Sequence, residues 1–123
     1  MEPPLQYHLL DQSNTIRDYL DTLRTESALA VDIEADSLYS YHEKVCLVQI
    51  STPSVNTIID PLAGRDGMPS LGTLLADRSI TKVFHGGDYD IRHLKKDYGF
   101  QVRNVVDTMI AAQFTGHQNL GLA

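Results

Sequence analysis

Residues 28–35 read Ala28-Leu29-Ala30-Val31-Asp32-Ile33-Glu34-Ala35, and the fold follows from how this stretch is read. It alternates. Leu29, Val31 and Ile33 fall on one face of a strand, while Ala28, Ala30, Asp32 and Glu34 fall on the other. Residues two apart along a strand are separated by about 6.6–7 Å, so the carboxylates at 32 and 34 can lean toward one point. In a core strand, unpaired carboxylates are costly, and a divalent cation is the obvious counter-charge. The rest of the chain is then expected to supply further ligands and a wall for a substrate.

Working outward, Val45 to Ser51 is a near-continuous β-type run, as in a strand covered on both faces. Thr52-Pro53-Ser54 is a turn, and Val55 to Asp60 is another strand, stopped by Pro61. Three strands on short loops predict an antiparallel meander. Upstream, Leu5 to Leu10 reads as a short strand. Ser13 suits an N-cap for a helix over Asn14 to Glu26, with Ile16, Leu20 and Leu23 at helical spacing. Downstream, Pro69 opens a helix whose stripe is Leu71, Leu74 and Leu75. Ile80 to Phe84 follows as a strand joined by a crossover. Asp88 to Tyr98 is helical, with Gly99 at its C-terminus. Val102 to Val106 is a last strand, and Asp107 begins a helix to about Phe114. The pattern is one α/β domain over residues 1–123: a mixed sheet, antiparallel meander plus parallel strands, flanked by helices.

The turn His85-Gly86-Gly87 leads into a helix whose first turn holds Asp90. Ligands in open α/β sheets gather beyond strand ends. Asp90 is therefore expected to meet Asp32 and Glu34, provided the two strands are neighbours.

Composition narrows the function classes. A net charge of −6 argues against a simple cationic nucleic-acid binder, unless clustered carboxylates hold cations that reverse the local potential. No apolar run approaches the roughly 18 residues needed to span a bilayer, and the start Met1-Glu2-Pro3-Pro4 lacks the features of a signal peptide. The single cysteine, Cys46, excludes an internal disulfide and reads as a buried free thiol. These features predict a cytoplasmic protein with no membrane association.

The segments Val31-Asp32-Ile33-Glu34, Leu47-Val48-Gln49-Ile50 and Ile59-Asp60-Pro61-Leu62 resemble the opening of a ribonuclease D-type exonuclease domain. Ile80-Thr81-Lys82-Val83-Phe84-His85-Gly86-Gly87 followed by Asp90 resembles the second motif of that family. Val106-Asp107-Thr108 with Ala111 and Ala112 resembles the helix start that comes next. The likeness runs in order from about Tyr7 to Ala123. It implies a DEDD exonuclease with a ribonuclease H-like fold, acting on the single-stranded 3′ end of RNA or DNA with two divalent cations, Mg2+ or Mn2+. Asp32 resembles the aspartate that bridges both metals. Glu34 resembles the glutamate that binds one metal and faces the attacking water, and Asp90 the aspartate that supports the second metal. Two metals about 3.5–4 Å apart suit in-line hydrolysis of a phosphodiester, and all-oxygen ligation suits hard cations. The family's third motif, a tyrosine or histidine ahead of a final aspartate, is expected beyond Ala123. Asp107 matches a different position of the family, and neither it nor Tyr89 or His117 fills that motif. A domain without its last helices is expected to bind metal weakly and to expose apolar surface; oligomeric state is left open.

Around this core of three carboxylates, Leu38, Tyr39, His85 and Arg92 are the candidate substrate contacts. Leu38 matches a wedge between terminal bases in the resemblance. Tyr39 and Tyr41 offer stacking surfaces, and the edge formed by Arg92, Lys95 and Lys96 offers phosphate contacts, although packing and solvation explain all of these equally well. For His85, a hydrogen bond at the strand end is favoured over metal ligation. For Gln49, a buried hydrogen-bonded side chain is favoured. The non-enzymatic alternative is a nucleic-acid-binding or interaction domain that retains the fold.

Overall fold

The computed structural model describes residues 6–36 and 43–122. Its elements are β1 (His8–Leu10), α1 (Ser13–Thr22), β2 (Ala28–Asp36), β3 (Lys44–Ser51), β4 (Asn56–Ile59), α2 (Met68–Ala76), β5 (Thr81–Phe84), α3 (Asp88–Tyr98), β6 (Val105–Asp107) and α4 (Thr108–Phe114). The six strands form one sheet in the order β1-β4-β3-β2-β5-β6. β2, β3 and β4 make the expected antiparallel meander. β1 joins it parallel to β4, and β5 and β6 extend the other edge in parallel.

The alternation of β2 decides which way the sheet faces. Leu29, Val31 and Ile33 are buried, and Ala30, Asp32 and Glu34 are exposed. Antiparallel register carries the pattern to β3, where Ile50 and Val48 lie opposite Val31 and Ile33, and both are fully buried. Against this apolar side pack Ile16 and Leu20 of α1, Leu71 and Leu75 of α2 and Leu94 of α3. β3 is not buried on both faces as its composition predicts: Cys46, Leu47 and Gln49 are only half-buried on the side that carries Asp32.

Element ends differ in small ways from expectation. The N-cap of α1 is Gln12, and Ser13 is the first helical residue, with no side-chain cap. The helix closes in a tighter turn over Leu23–Thr25. β6 is only three residues long, while Val102 packs on the core from the loop before it. Gly99 ends α3 in the left-handed conformation, φ +71°, as its position suggests. Lys82 in β5 is fully buried, which the sequence of that strand does not announce. Its stem lies in the core while its ammonium donates to the Asp77 carbonyl, and burial pushes its pKa down against the pull of the Asp77 charge. β6 and α4 leave Val106, Ile110 and Phe114 exposed, and none of α4 is buried.

No described helix is long and apolar enough to cross a membrane. Leu94 is the side chain that seats α3 in the core, so Leu94→Ala is expected to cost about 2–5 kcal/mol, measured as a lowered denaturant midpoint in urea unfolding.

Candidate active site

The site forms where two parallel strands part. β5 pairs with β2 only along Ala28–Ala30. Beyond Ala30, β2 continues to Asp36 beside β3, and the chain leaving β5 turns into α3 instead. The first turn of α3 occupies the place that a longer β5 would have filled. There the Ile33 N–H donates to Asp90 Oδ2 at 3.3 Å, a strand hydrogen bond taken over by a side chain. Asp90 is 8% exposed.

Two glycines make this turn possible. Gly86 has φ +66°, a conformation that side chains with a Cβ avoid. A Cβ on Gly87 would stand 2.4 Å from the Cβ of Phe84. Asp107, at the end of β6, braces the turn. Its Oδ1 accepts from the Gly86 N–H at 3.0 Å and its Oδ2 from the Gly87 N–H at 2.8 Å. The same carboxylate caps α4 through the Met109 and Ile110 N–H groups. Burial opposes ionisation of Asp107, but these four backbone donors outweigh it and hold its pKa below the usual range. Asp107 thus has a structural task, consistent with leaving it out of the ligand set.

Asp90 is brought against Asp32. Burial raises the Asp90 pKa most. A hydrogen bond with the Asp32 side chain and the Asp32 charge raise it further, Glu34 adds to this, and the Ile33 N–H offsets part; the result is about 7. Burial and the neighbouring Asp32 carboxyl thus both resist ionisation of Asp90. Glu34 lies on the same exposed face as Asp32, one residue before a register irregularity between Glu34 and Ala35. It reaches Asp90 by its charge. Among the described residues, no three His, Cys, Asp or Glu side chains converge to hold a metal ion by themselves. The geometry supplies a close pair with Glu34 beside it. The pair fits a hard divalent cation: every donor is a carboxylate oxygen, and the burial and like charge that resist ionisation of Asp90 are what a cation's charge would offset. Gln49 is the direct cross-strand partner of Asp32 and is half-buried.

The candidate substrate contacts divide. Leu38, Tyr39 and Tyr41 lie outside the described residues. His85 is engaged at both ring nitrogens: Nε2 with the Leu120 carbonyl, and Nδ1 with the Thr108 hydroxyl at 2.8 Å. This agrees with a strand-end hydrogen-bonding role. Arg92 is exposed and pairs with Asp88 at 2.7 Å, one helical turn before it. Lys96 turns to the Glu43 carbonyl at 2.9 Å.

Sequence reasoning missed the partnership of Glu43 with α3. Glu43 Oε2 accepts from the Tyr89 hydroxyl at 2.7 Å and lies 3.1 Å from His93 Nε2. The 89/93 spacing places both rings on one helix face, but nothing local links them to a residue so far upstream.

The family model described as 3′-5′ exonuclease matches residues 7–123. The chain belongs to this family. It is 40% identical over 114 residues to Exosome complex component 10 of Homo sapiens, covering 93% of this chain and 12% of that protein. The catalytic core of RRP6 from Trypanosoma brucei superposes with a TM-score of 0.90 at 35% identity, covering 98% of this chain and 33% of that one. Escherichia coli RNase D superposes at 0.84 with 27% identity, covering 92% and 30%. The mixed six-stranded sheet is thus the fold of the RRP6 and RNase D exonucleases. The chain spans only 13% and 12% of the first curated relatives it matches.

The raised Asp90 pKa sets a sign for pH. In metal-free protein, the Asp90 proton favours the folded state below the ordinary carboxyl pKa of 3.8, and that contribution is lost as pH rises through about 7. Asp90→Asn removes this loss. Relative to wild type in chelator, the variant is expected to melt higher at pH 8 than at pH 5 in paired thermal scans.

Proposed function

We propose that this exonuclease domain takes part in metal-dependent removal of nucleotides from the 3′ end of single-stranded RNA, with processing of tRNA precursors as one such task. The observation that carries the reading is the Asp32–Asp90 carboxyl pair, set in the gap between diverging strands with Glu34 beside it. The relative named Ribonuclease D, and the Escherichia coli RNase D structure described as an exoribonuclease involved in structured RNA processing, support RNA as the substrate class.

Asp32, Glu34 and Asp90 would hold divalent cations, two Mg2+ or Mn2+ ions. When bound, the cations supply activation of water and stabilisation of the leaving 3′ oxygen. The chain's own residues do the rest. β2 presents Asp32 and Glu34 on an exposed face where a phosphodiester can approach. Asp90, 8% exposed at the first turn of α3, would supply a carboxylate from the covered side of the site. The glycine turn and Asp107 keep the first turn of α3 from drifting away from β2. Leu38 and Tyr39 would contact the terminal bases, with Arg92 meeting phosphate and His85 lining the cleft. A cytoplasmic setting suits a lone thiol with no disulfide partner, Cys46.

A non-catalytic nucleic-acid-binding role is the second reading. It is favoured by the convergence of only a carboxyl pair among the described residues. The full-length protein, given 5′-labelled single-stranded RNA and DNA with Mn2+ or Mg2+, is expected to release mononucleotides from the 3′ end, faster from RNA. Asp32→Asn is expected to lower the rate by about 10²-fold or more, the scale of losing one electrostatic stabiliser. Undiminished cleavage by that variant refutes the site assignment. Binding without cleavage by the wild type favours the second reading, and faster cleavage of DNA reassigns the substrate.

A further inference from the structure

Asp90 and Asp32 repel each other once both are ionised, so contacts elsewhere on α3 must hold the helix against the sheet. The Ile33 N–H to Asp90 contact is long, at 3.3 Å. Shorter contacts tie α3 to the start of β3, at Glu43, the residue that precedes the strand, and at Val45. The Glu43 carboxylate takes the Tyr89 hydroxyl at 2.7 Å and faces His93 Nε2 at 3.1 Å. Its carbonyl accepts from Lys96 Nζ at 2.9 Å. Two residues on, the Val45 N–H donates to Asp97 Oδ2 at 2.7 Å. The Tyr89 and His93 rings lie against each other, centroids 4.2 Å apart, and His93 is 7% exposed. Tyr89, His93 and Lys96 follow at i, i+4 and i+7, so one side of α3 is tied along nearly its whole length. Tyr89 is the immediate neighbour of Asp90. Arg92 points elsewhere, to Asp88.

We propose that Glu43 is a positioning residue: through Tyr89 and His93 it straps α3 to the start of β3 and so sets Asp90 against Asp32 before any cation arrives. The proposal rests on the reading of Asp32 and Asp90 as metal ligands, and it assigns a task to residues outside that set. Glu43 touches no reacting atom in this scheme. It acts by fixing the depth and rotation of α3. β3 is paired to β2 over the whole stretch that carries Asp32 and Glu34. A tie from α3 to the start of β3 is therefore a tie to the strand that bears the other ligands. Glutamine at 43 keeps an acceptor oxygen for the Tyr89 hydroxyl, whereas alanine removes it.

Two measurements on full-length protein test this. In chelator, hydrogen exchange at the Ile33 amide reports whether Asp90 is in place. Glu43→Ala is expected to speed it by about tenfold, while the core strand amides of Val48 and Ile50 stay near wild type, the signature of local release. Titration with Mn2+ is expected to show about tenfold weaker binding in Glu43→Ala, the scale of losing a residue that orients a ligand, with Glu43→Gln close to wild type in both measurements. Unchanged Ile33 exchange in Glu43→Ala overturns the proposal. So does equal acceleration of all three amides, or a glutamine variant as impaired as the alanine one. A wild type that binds no Mn2+ refutes the metal reading alone, and Ile33 exchange then still decides the strap.

Discussion

The contact between the Asp90 and Asp32 carboxyl groups is the constraint around which the other features of this end of the molecule arrange themselves. It is unfavourable in isolation, because burial and like charge both resist ionisation of Asp90. A fold keeps such a contact only when surrounding structure over-determines it. Here three supports converge. Leu94 seats α3 in the core, Asp107 fastens the glycine turn from below, and Glu43 draws the flank of the helix to β3. The cost falls on a pair that a cation would relieve, which is why the arrangement makes chemical sense as a metal site.

The place of the pair follows from topology. β2 has an antiparallel neighbour from Ala30 to Asp36 and a parallel neighbour only along Ala28–Ala30. Where β5 ends, the backbone of β2 needs a partner, and the first turn of a helix can supply a carboxylate to fill it. The exposed face of β2 holds Asp32 and Glu34 in reach of solvent while Asp90 is covered. The site therefore has one buried wall and one open side. Gln49 faces the same open side from β3.

Much of the architecture was legible because it rests on local patterning. The period-2 alternation of Leu29, Val31 and Ile33 gave the orientation of β2, and short turns gave the meander. Gly99 marked the end of α3 because few residues other than glycine take φ +71°. The candidate carboxylates were legible for a different reason: their motif register, which carried Asp90 over Asp88 when both sit in the same helical turn. The over-reading of β3 as buried on both faces came from its apolar composition. Composition cannot distinguish a strand with two covered faces from one whose second face is apolar but partly open. The burial of Lys82 was missed for a related reason, since a long stem can be buried while its ammonium finds a carbonyl.

The sequence by itself determined the order of elements and the face of β2 that turns inward, because each is encoded within a few neighbouring residues, and a motif's spacing nominated Asp32, Glu34 and Asp90 as the candidate carboxylates. Only the tertiary structure decided that Asp90 hydrogen-bonds Asp32 while Glu34 acts on it by charge, that Asp107 serves the glycine turn, that His85 is committed to Thr108 and Leu120, and that Glu43 joins Tyr89 and His93. Each of these depends on where β5 stops relative to β2 and on how α3 lies across the sheet. Such contacts join residues far apart in the chain, and hydrophobic periodicity does not encode them.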